Sequence, residues 1–221
     1  MVKVDDIQLQ QKLGFTAKSP RWATAVKFSA EQAFSIIRSL DIGVGRSGVL
    51  TPVALVDPVE LNGTIVSRAT LHNYDQVNRL NLHLGDRVIL EKGGEIIPKI
   101  LKSERGPEKG WPIRYPESCP VCDSEVSQLS GEVDWRCSNI DCPAQLNERL
   151  LHFVSRKAMN IDTVGPALIE QLTLKKKLRN PADLYRLHIS DLEELERMGT
   201  KSAENVLNAI EHSKDLSLIH I

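Results

Sequence analysis

The sequence predicts a multi-domain α+β protein with an OB-fold β-barrel, a four-cysteine zinc ribbon and an all-α region. Three observations carry this reading. Short apolar segments broken by turn signals crowd the stretch from about Ala33 to Leu101. Cys119, Cys122, Cys137 and Cys142 stand at metal-ligand spacing. From Leu146 onward apolar residues recur at near-helical intervals.

Taken in order, Val2-Lys3-Val4 reads as a strand end and Asp6 to Lys12 as a short helix, before the breaker Lys18-Ser19-Pro20. Arg21 to Phe28 reads as a buried strand. The run from Val49 to Leu61 carries Pro52 and Pro58, which suits an edge or bent strand. Asn62-Gly63 is a tight-turn signal. Asn73 to Arg79 suits a short helix, Leu84 to Arg87 a turn into the strand Val88–Leu90, and Gly93-Gly94 a turn before a strand from Ile96 to Leu101. Several short strands around one small helix within about 70 residues fit an OB barrel. A Pro-, Gly- and charge-rich linker covers 103–118. After the cysteines, helices are predicted from Leu146, over Gly165–Leu172, Pro181–Leu187 and Ser190–Arg197, and from Lys201 to His212.

Charge and composition narrow the partners. Lys and Arg total 28 against 29 Asp and Glu, so a DNA contact must come from local patches. No stretch reaches the roughly 18–20 apolar residues of a membrane span. The N-terminus lacks the basic and apolar regions of a signal peptide, which predicts a cytoplasmic address and no membrane partner. Thiols stay reduced there, so paired cysteines read as metal ligands before disulfides.

The cysteines follow C-x2-C, fourteen residues, then C-x4-C. Tetrahedral zinc takes four thiolates at about 2.3 Å, and a C-x2-C turn places two of them on one ion. Pro120 and Pro143 each follow a cysteine and stiffen the knuckles. An iron–sulfur cluster is the alternative that four cysteines allow. No acid, base or open ligand that would make the zinc catalytic is evident near them, so the predicted role is structural: the ion folds a segment too short to build its own core.

Along nearly its whole length the chain resembles bacterial NAD-dependent DNA ligases. VKVD at Val2–Asp5 resembles nucleotidyltransferase motif IV, and PRWATAVKFSAE at Pro20–Glu31 resembles motif V and its flank. VGRSGVLTPVA at Val44–Ala54, VSRATLHN at Val66–Asn73 and GDRVILEKGGEIIPKI at Gly85–Ile100 resemble the family's OB-fold. The cysteines, ending in CPAQ at Cys142–Gln145, match its zinc finger, and FVSRKAMNIDTVG at Phe153–Gly165 resembles the entry to its helix-hairpin-helix domain.

The resemblance implies four parts. Residues 1–32 would be the end of the adenylation domain, at the edge of an α/β nucleotidyltransferase sheet. The OB-fold would span 33–115, the zinc finger 116–145 and a helix-hairpin-helix domain 146–221. It also implies NAD and Mg2+ (or Mn2+) as cofactors and a three-step reaction. A lysine is adenylated by NAD, AMP passes to the 5′-phosphate at a nick, and the 3′-hydroxyl displaces AMP. Lys3 and Lys27 would be the motif IV and V lysines, touching the AMP phosphate as point charges. Their spacing of 24 residues and apolar flanks suit neighbouring strands. The nucleophile motif K-x-D-G is not in this sequence. Lys3-Val4-Asp5-Asp6 mimics it, with Asp6 in place of glycine. The NMN-binding segment and a terminal BRCT domain are also missing, and Leu218–Ile221 departs from the family. The chain therefore reads as a piece truncated at both ends that neither ligates nor self-adenylates by itself.

DNA grip in such a protein is phosphate neutralisation, independent of sequence. Arg46 between Gly45 and Gly48, Arg68 beside small residues, and Lys92 are the candidates in the barrel. Two loop-and-helix units look alike, Ile161 to Gly165 and Leu195 to Ala203, each placing an apolar residue before a glycine at a helix start. A helix start of that kind offers amides to a phosphate, so Gly165, Gly199 and Lys201 join the candidates. Thr163 and Thr200 stand where the family usually carries glycine. The basic stretch Lys175 to Arg179 reads as a solvated face.

Nicked duplex DNA gripped by a monomer is the partner this reading predicts. The alternatives are a stand-alone, non-catalytic zinc-containing DNA-binding module and a zinc-ribbon adaptor that binds protein.

Overall fold

A computed structural model describes residues 1–25, 30–93, 97–106 and 110–216. At the start, β1 (Val2–Lys3) pairs antiparallel with β2 (Ala23–Thr24), Lys3 opposite Ala23. Between them lies α1 (Ile7–Leu13), where the Asp6 side chain caps the amides of Gln8 and Leu9. Of the buried strand predicted over Arg21–Phe28, the residues from Val26 on lie outside the described residues, and Arg21–Ala25 are not a buried strand. Ordered pairing covers two residues, and Arg21, Thr24 and Ala25 are exposed. A local apolar run cannot show whether a second layer covers it. Lys27 and Leu218–Ile221 lie outside the described residues.

The barrel is closed in the order β3-β4-β5-β7-β6: β3 (Gln32–Val44), β4 (Leu50–Leu61), β5 (Thr64–Thr70), β6 (Arg87–Gly93) and β7 (Ile97–Glu104). One parallel contact, Thr70 with Lys99, closes it. β4 is paired on both sides and is therefore bent rather than an edge. Pro58 falls inside the register shift between Leu55 and Val59, where a missing amide costs no ladder bond. Asn62 and Gly63 both take positive φ, as a tight primed hairpin requires. The helix α2 (Tyr74–Leu80) crosses between β5 and β6, capped by Asn73, and buries Tyr74 and Val77 in the barrel. The predicted Gly93-Gly94 turn lies largely outside the described residues. The linker is partly packed: Ile113 is buried and its amide donates to Leu82 O at 3.0 Å.

The cysteine module adds the hairpin β8 (Val126–Gln128) and β9 (Trp135–Cys137). Its buried Cys119, Val126, Cys137 and Cys142 belong to the same apolar cluster as Ile37, Leu50 and Leu90 of the barrel.

Helices follow: α3 (Pro143–Val154), α4 (Pro166–Leu174), α5 (Pro181–Leu184), α6 (Ile189–Glu193) and α7 (Thr200–His212). The helices α5 and α6 are shorter than predicted. A turn from Leu195 to Gly199 takes residues that the apolar pattern had assigned to α6. Leu150, Ile169, Leu172, Leu184 and Leu192 close a second apolar cluster of their own.

Candidate metal centre and nucleic-acid interface

Two tight turns bring the four sulfurs together. Cys119 accepts from the Asp123 amide at 2.9 Å, and the Cys142 amide donates to Asn139 O at 3.1 Å. All four Sγ atoms lie within 4.8 Å of one another, with Cys119–Cys142 at 3.9 Å and Cys122–Cys137 at 3.5 Å. A tetrahedron of sulfurs about 2.3 Å from one ion has edges of about 3.8 Å. The donor set therefore fits a single zinc ion, and three of the four thiols are buried, leaving no open position. The surroundings set the pKa values of these thiols apart. Hydrogen bonds from Ser124 pull Cys122 down to about 6, while burial pushes Cys137 up to about 12 and raises Cys142. Cys142 is also the N-cap of α3, so the metal fixes the start of that helix.

Arg46 sits exposed on the β3–β4 turn, with no ion-pair partner among the described residues. Gly48, two residues on, allows a close backbone approach. The backbone that approaches is the zinc module's own: a Cβ built on Gly48 would come within 2.6 Å of Cys137 O.

The other predicted cations are more committed. Arg68 pairs across the sheet with Asp41 at 2.5 Å, though both side chains remain about half exposed. Lys92 is buried at 8% exposure, with its ammonium on the Thr64 hydroxyl. Lys92, Thr64, Ser67 and Arg68 line one shallow pocket on the barrel wall. Lys3 is exposed on β1. Among the described residues no second cluster of three or more metal-ligating side chains forms.

The comparisons with known proteins follow the same order of parts. Family models match for the NAD-dependent DNA ligase adenylation domain over residues 1–31, its OB-fold domain over 34–109 and its C4 zinc finger domain over 118–144. A DNA ligase of Solibacter usitatus (strain Ellin6076) is 49% identical over 218 residues, 99% of this chain and 33% of its own length. DNA ligases of Pelodictyon phaeoclathratiforme (strain DSM 5477 / BU-1) and Halothermothrix orenii (strain H 168 / OCM 544 / DSM 9562) are each 50% identical, over 98% and 100% of this chain. The chain belongs to the NAD-dependent DNA ligase family. It spans about a third of the length of the curated ligases it matches. The C4 zinc finger match and the sulfur geometry together decide the metal as zinc rather than an iron–sulfur cluster.

Beyond the zinc finger, this ligase-family chain builds two turns of one design. Ile161 and Leu195 are buried, the next two residues are exposed, and Gly165 and Gly199 are the N-caps of α4 and α7. Thr163 at φ 71° and Arg197 at φ 61° both take the left-handed conformation, two residues before the capping glycine. Thr163 thus adopts backbone geometry suited to glycine. Neither helix start has a side-chain cap, so their first-turn amides face outward. Lys201 is exposed in the first turn of α7.

The basic stretch is exposed, as predicted, but two of its lysines are partnered. Lys177 pairs with Asp191 at 2.6 Å, which raises its pKa and lowers that of Asp191, and Lys175 donates to Glu194 O at 2.5 Å. Lys175 ties the end of α4 to Glu194 and Lys177 ties the following loop to α6, while the Glu196 amide of the second turn donates to Gln171 Oε1 of α4 at 2.8 Å. Sequence reasoning missed Gln145, 4% exposed, whose amide donates to Cys137 O at 3.1 Å and to Asn139 O at 2.9 Å. The only signal was its place in CPAQ.

Proposed function

We propose that this chain supplies the duplex-gripping parts of a cytoplasmic enzyme that seals nicks in DNA. In that reaction NAD gives an adenylyl group to a lysine, AMP passes to the 5′-phosphate, and the 3′-hydroxyl displaces it. The K-x-D-G lysine is not in this sequence, so the part proposed for this chain is positioning and charge, not nucleophilic attack. Lys3 and Lys27 hold the AMP phosphates. Arg46, assisted by Arg68 and Lys92, meets the DNA backbone. The amide-bearing turns at Gly165 and Gly199, with Lys201, form a helix-hairpin-helix grip on phosphates. Zinc supplies rigidity and takes no part in the chemistry. Mg2+ screens phosphates in reactions of this type, but the described residues offer it no carboxylate cage, so no step proposed for this chain runs through it.

The observation that carries the reading is the exposed Arg46, without an ion-pair partner among the described residues, on a hydrogen-bonded turn in a chain that matches the ligase parts in order. The test is anisotropy of a labelled nicked duplex titrated with the monomeric chain at several salt concentrations. Affinity falls steeply with salt, and Arg46→Ala reduces the slope by about one. Absence of any salt-dependent binding overturns the reading in favour of a protein-binding adaptor. For the lysines, the chain is joined to the adenylation domain of a relative and Lys3→Ala and Lys27→Ala are compared. Sealing drops in both, and full sealing in both sinks their roles.

A further inference from the structure

The turn that carries Arg46 is closed from inside by two bonds. The Gly45 amide donates to Val49 O and the Gly48 amide to Gly45 O, each at 2.9 Å. From outside, the zinc module holds it. The Cys137 amide donates to Gly48 O at 2.9 Å, Val49 bridges to Arg136, and Arg136 Nη1 donates to Ser47 Oγ at 3.3 Å. Gly48 is buried at φ 81°, and the space a side chain would fill holds Cys137 O at 2.6 Å and Gln145 Nε2 at 3.0 Å from an ideal Cβ. Gln145 in turn bonds the carbonyls of Cys137 and Asn139, both in the second cysteine knuckle. A zinc ligand, the glutamine beneath it and the arginine turn thus form one continuous contact.

We propose that Gly48 and Gln145 are positioning residues that latch the Arg46 turn onto the zinc knuckle, so that metal occupancy sets how the barrel presents this arginine to DNA. The proposal rests on the reading of Arg46 as a phosphate contact. An arginine on a loose turn must be ordered when DNA binds, and that entropy is subtracted from affinity. The Gln145 side chain donates to carbonyls, while its backbone amide, which bonds the Cys142 thiol, is kept in Q145A, so loss of the side chain spares the ligands. Gly48 belongs to the barrel turn and meets the Cys137 backbone, its amide and carbonyl, rather than a sulfur. Any side chain there meets a backbone oxygen and a positive φ together.

The experiment uses the zinc-loaded chain, wild type and R46A, G48A, Q145A and Q145E, with R46A/Q145A as the double variant. Three readouts are taken: zinc per chain, amide exchange over residues 45–49, and affinity for a nicked duplex at fixed salt. G48A and Q145A keep the wild-type zinc content, exchange faster over 45–49, and lose about tenfold in affinity. Q145E, of the same size but without the donors, behaves like Q145A. The double variant binds no worse than R46A alone, because the latch acts through that arginine. Unchanged exchange over 45–49 in both G48A and Q145A overturns the latch. So does an affinity loss that adds fully to that of R46A. Zinc loss in both G48A and Q145A also overturns it, by making these residues supports of the metal rather than of the turn. If R46A binds like wild type, the Arg46 reading fails and with it the DNA arm. The exchange arm still decides whether the turn is latched, so the two failures are told apart.

Discussion

In the barrel, one apolar cluster runs from Ile37 and Leu90 through to the thiols of Cys119, Cys137 and Cys142. Beyond Leu146, the cluster around Ile169, Leu172 and Leu184 contains no metal ligand. The first region uses an ion where short segments lack apolar surface; the second uses helix packing alone. The two meet at Cys142, ligand on one side and N-cap of α3 on the other. The difference predicts that each region can be broken while the other stands.

The largest effect comes from the metal. Structural zinc sites contribute on the order of 10 kcal/mol to the fold they hold. Chelation, or Cys119→Ser, therefore melts the cysteine module and frees the Gly48 end of the barrel. Amide exchange locates the damage at residues 45–49 and 118–145, while α4 and α7 stay protected. If zinc loss makes those helices exchange as fast as the cysteine module, the regions are one cooperative unit and the contrast is wrong.

The converse break is Leu172→Ala. Leu172 is fully buried, and truncating such a leucine costs about 2–5 kcal/mol. Thermal melting should show the helical signal lost first, with zinc still bound as judged by a chromogenic chelator. Zinc release coincident with the helical melt would join the two regions.

Acid sharpens the contrast with a smaller effect. Thiols must be deprotonated to hold zinc, so metal affinity falls as pH falls. In the helical region, the Arg179 and Asn180 amides hold Asp183 down, and Lys177 with the His188 amide holds Asp191 down, both below the ordinary value of 3.8. A lowered carboxylate contributes stability that is present above 3.8 and lost as pH falls through its folded value. Acid titration followed by zinc release and helical signal should therefore show the metal leaving first. Helix loss preceding zinc release would reverse the assignment.

What was legible in the sequence follows from how local each interaction is. Cysteine spacing and the Asn62-Gly63 turn are local, and the structure bears out both. The reason for Gly48 was not legible, because its neighbours are on the far knuckle; Ser47 and Arg136 are 89 residues apart. That the exposed Lys177 also pairs with Asp191 was not legible, because Asp191 reaches it only through the fold. The stretch from Arg21 read as buried because an apolar run does not say what covers it. The hairpin units are the opposite case. Their alignment, Ile161 with Leu195 and Gly165 with Gly199, was visible residue by residue, since burial and capping there are set within five positions.

That alignment also yields the smallest prediction. Thr163 and Arg197 both sit at positive φ, although neither is glycine and Thr163 is β-branched. The left-handed conformation costs an ordinary residue about 1–2 kcal/mol. Burial of Ile161 and Val164 on either side of Thr163 holds the turn there regardless. Thr163→Gly removes the strain but loosens the unfolded chain by about 0.5–1 kcal/mol. The net is a gain of about 0.5 kcal/mol, seen as a small rise in the midpoint of the helical melt, with zinc release unmoved. Arg197→Gly should gain less, because an unbranched Cβ is less crowded at positive φ. A loss of stability in Thr163→Gly would mean that the threonine side chain contributes more to the turn than its backbone strain removes.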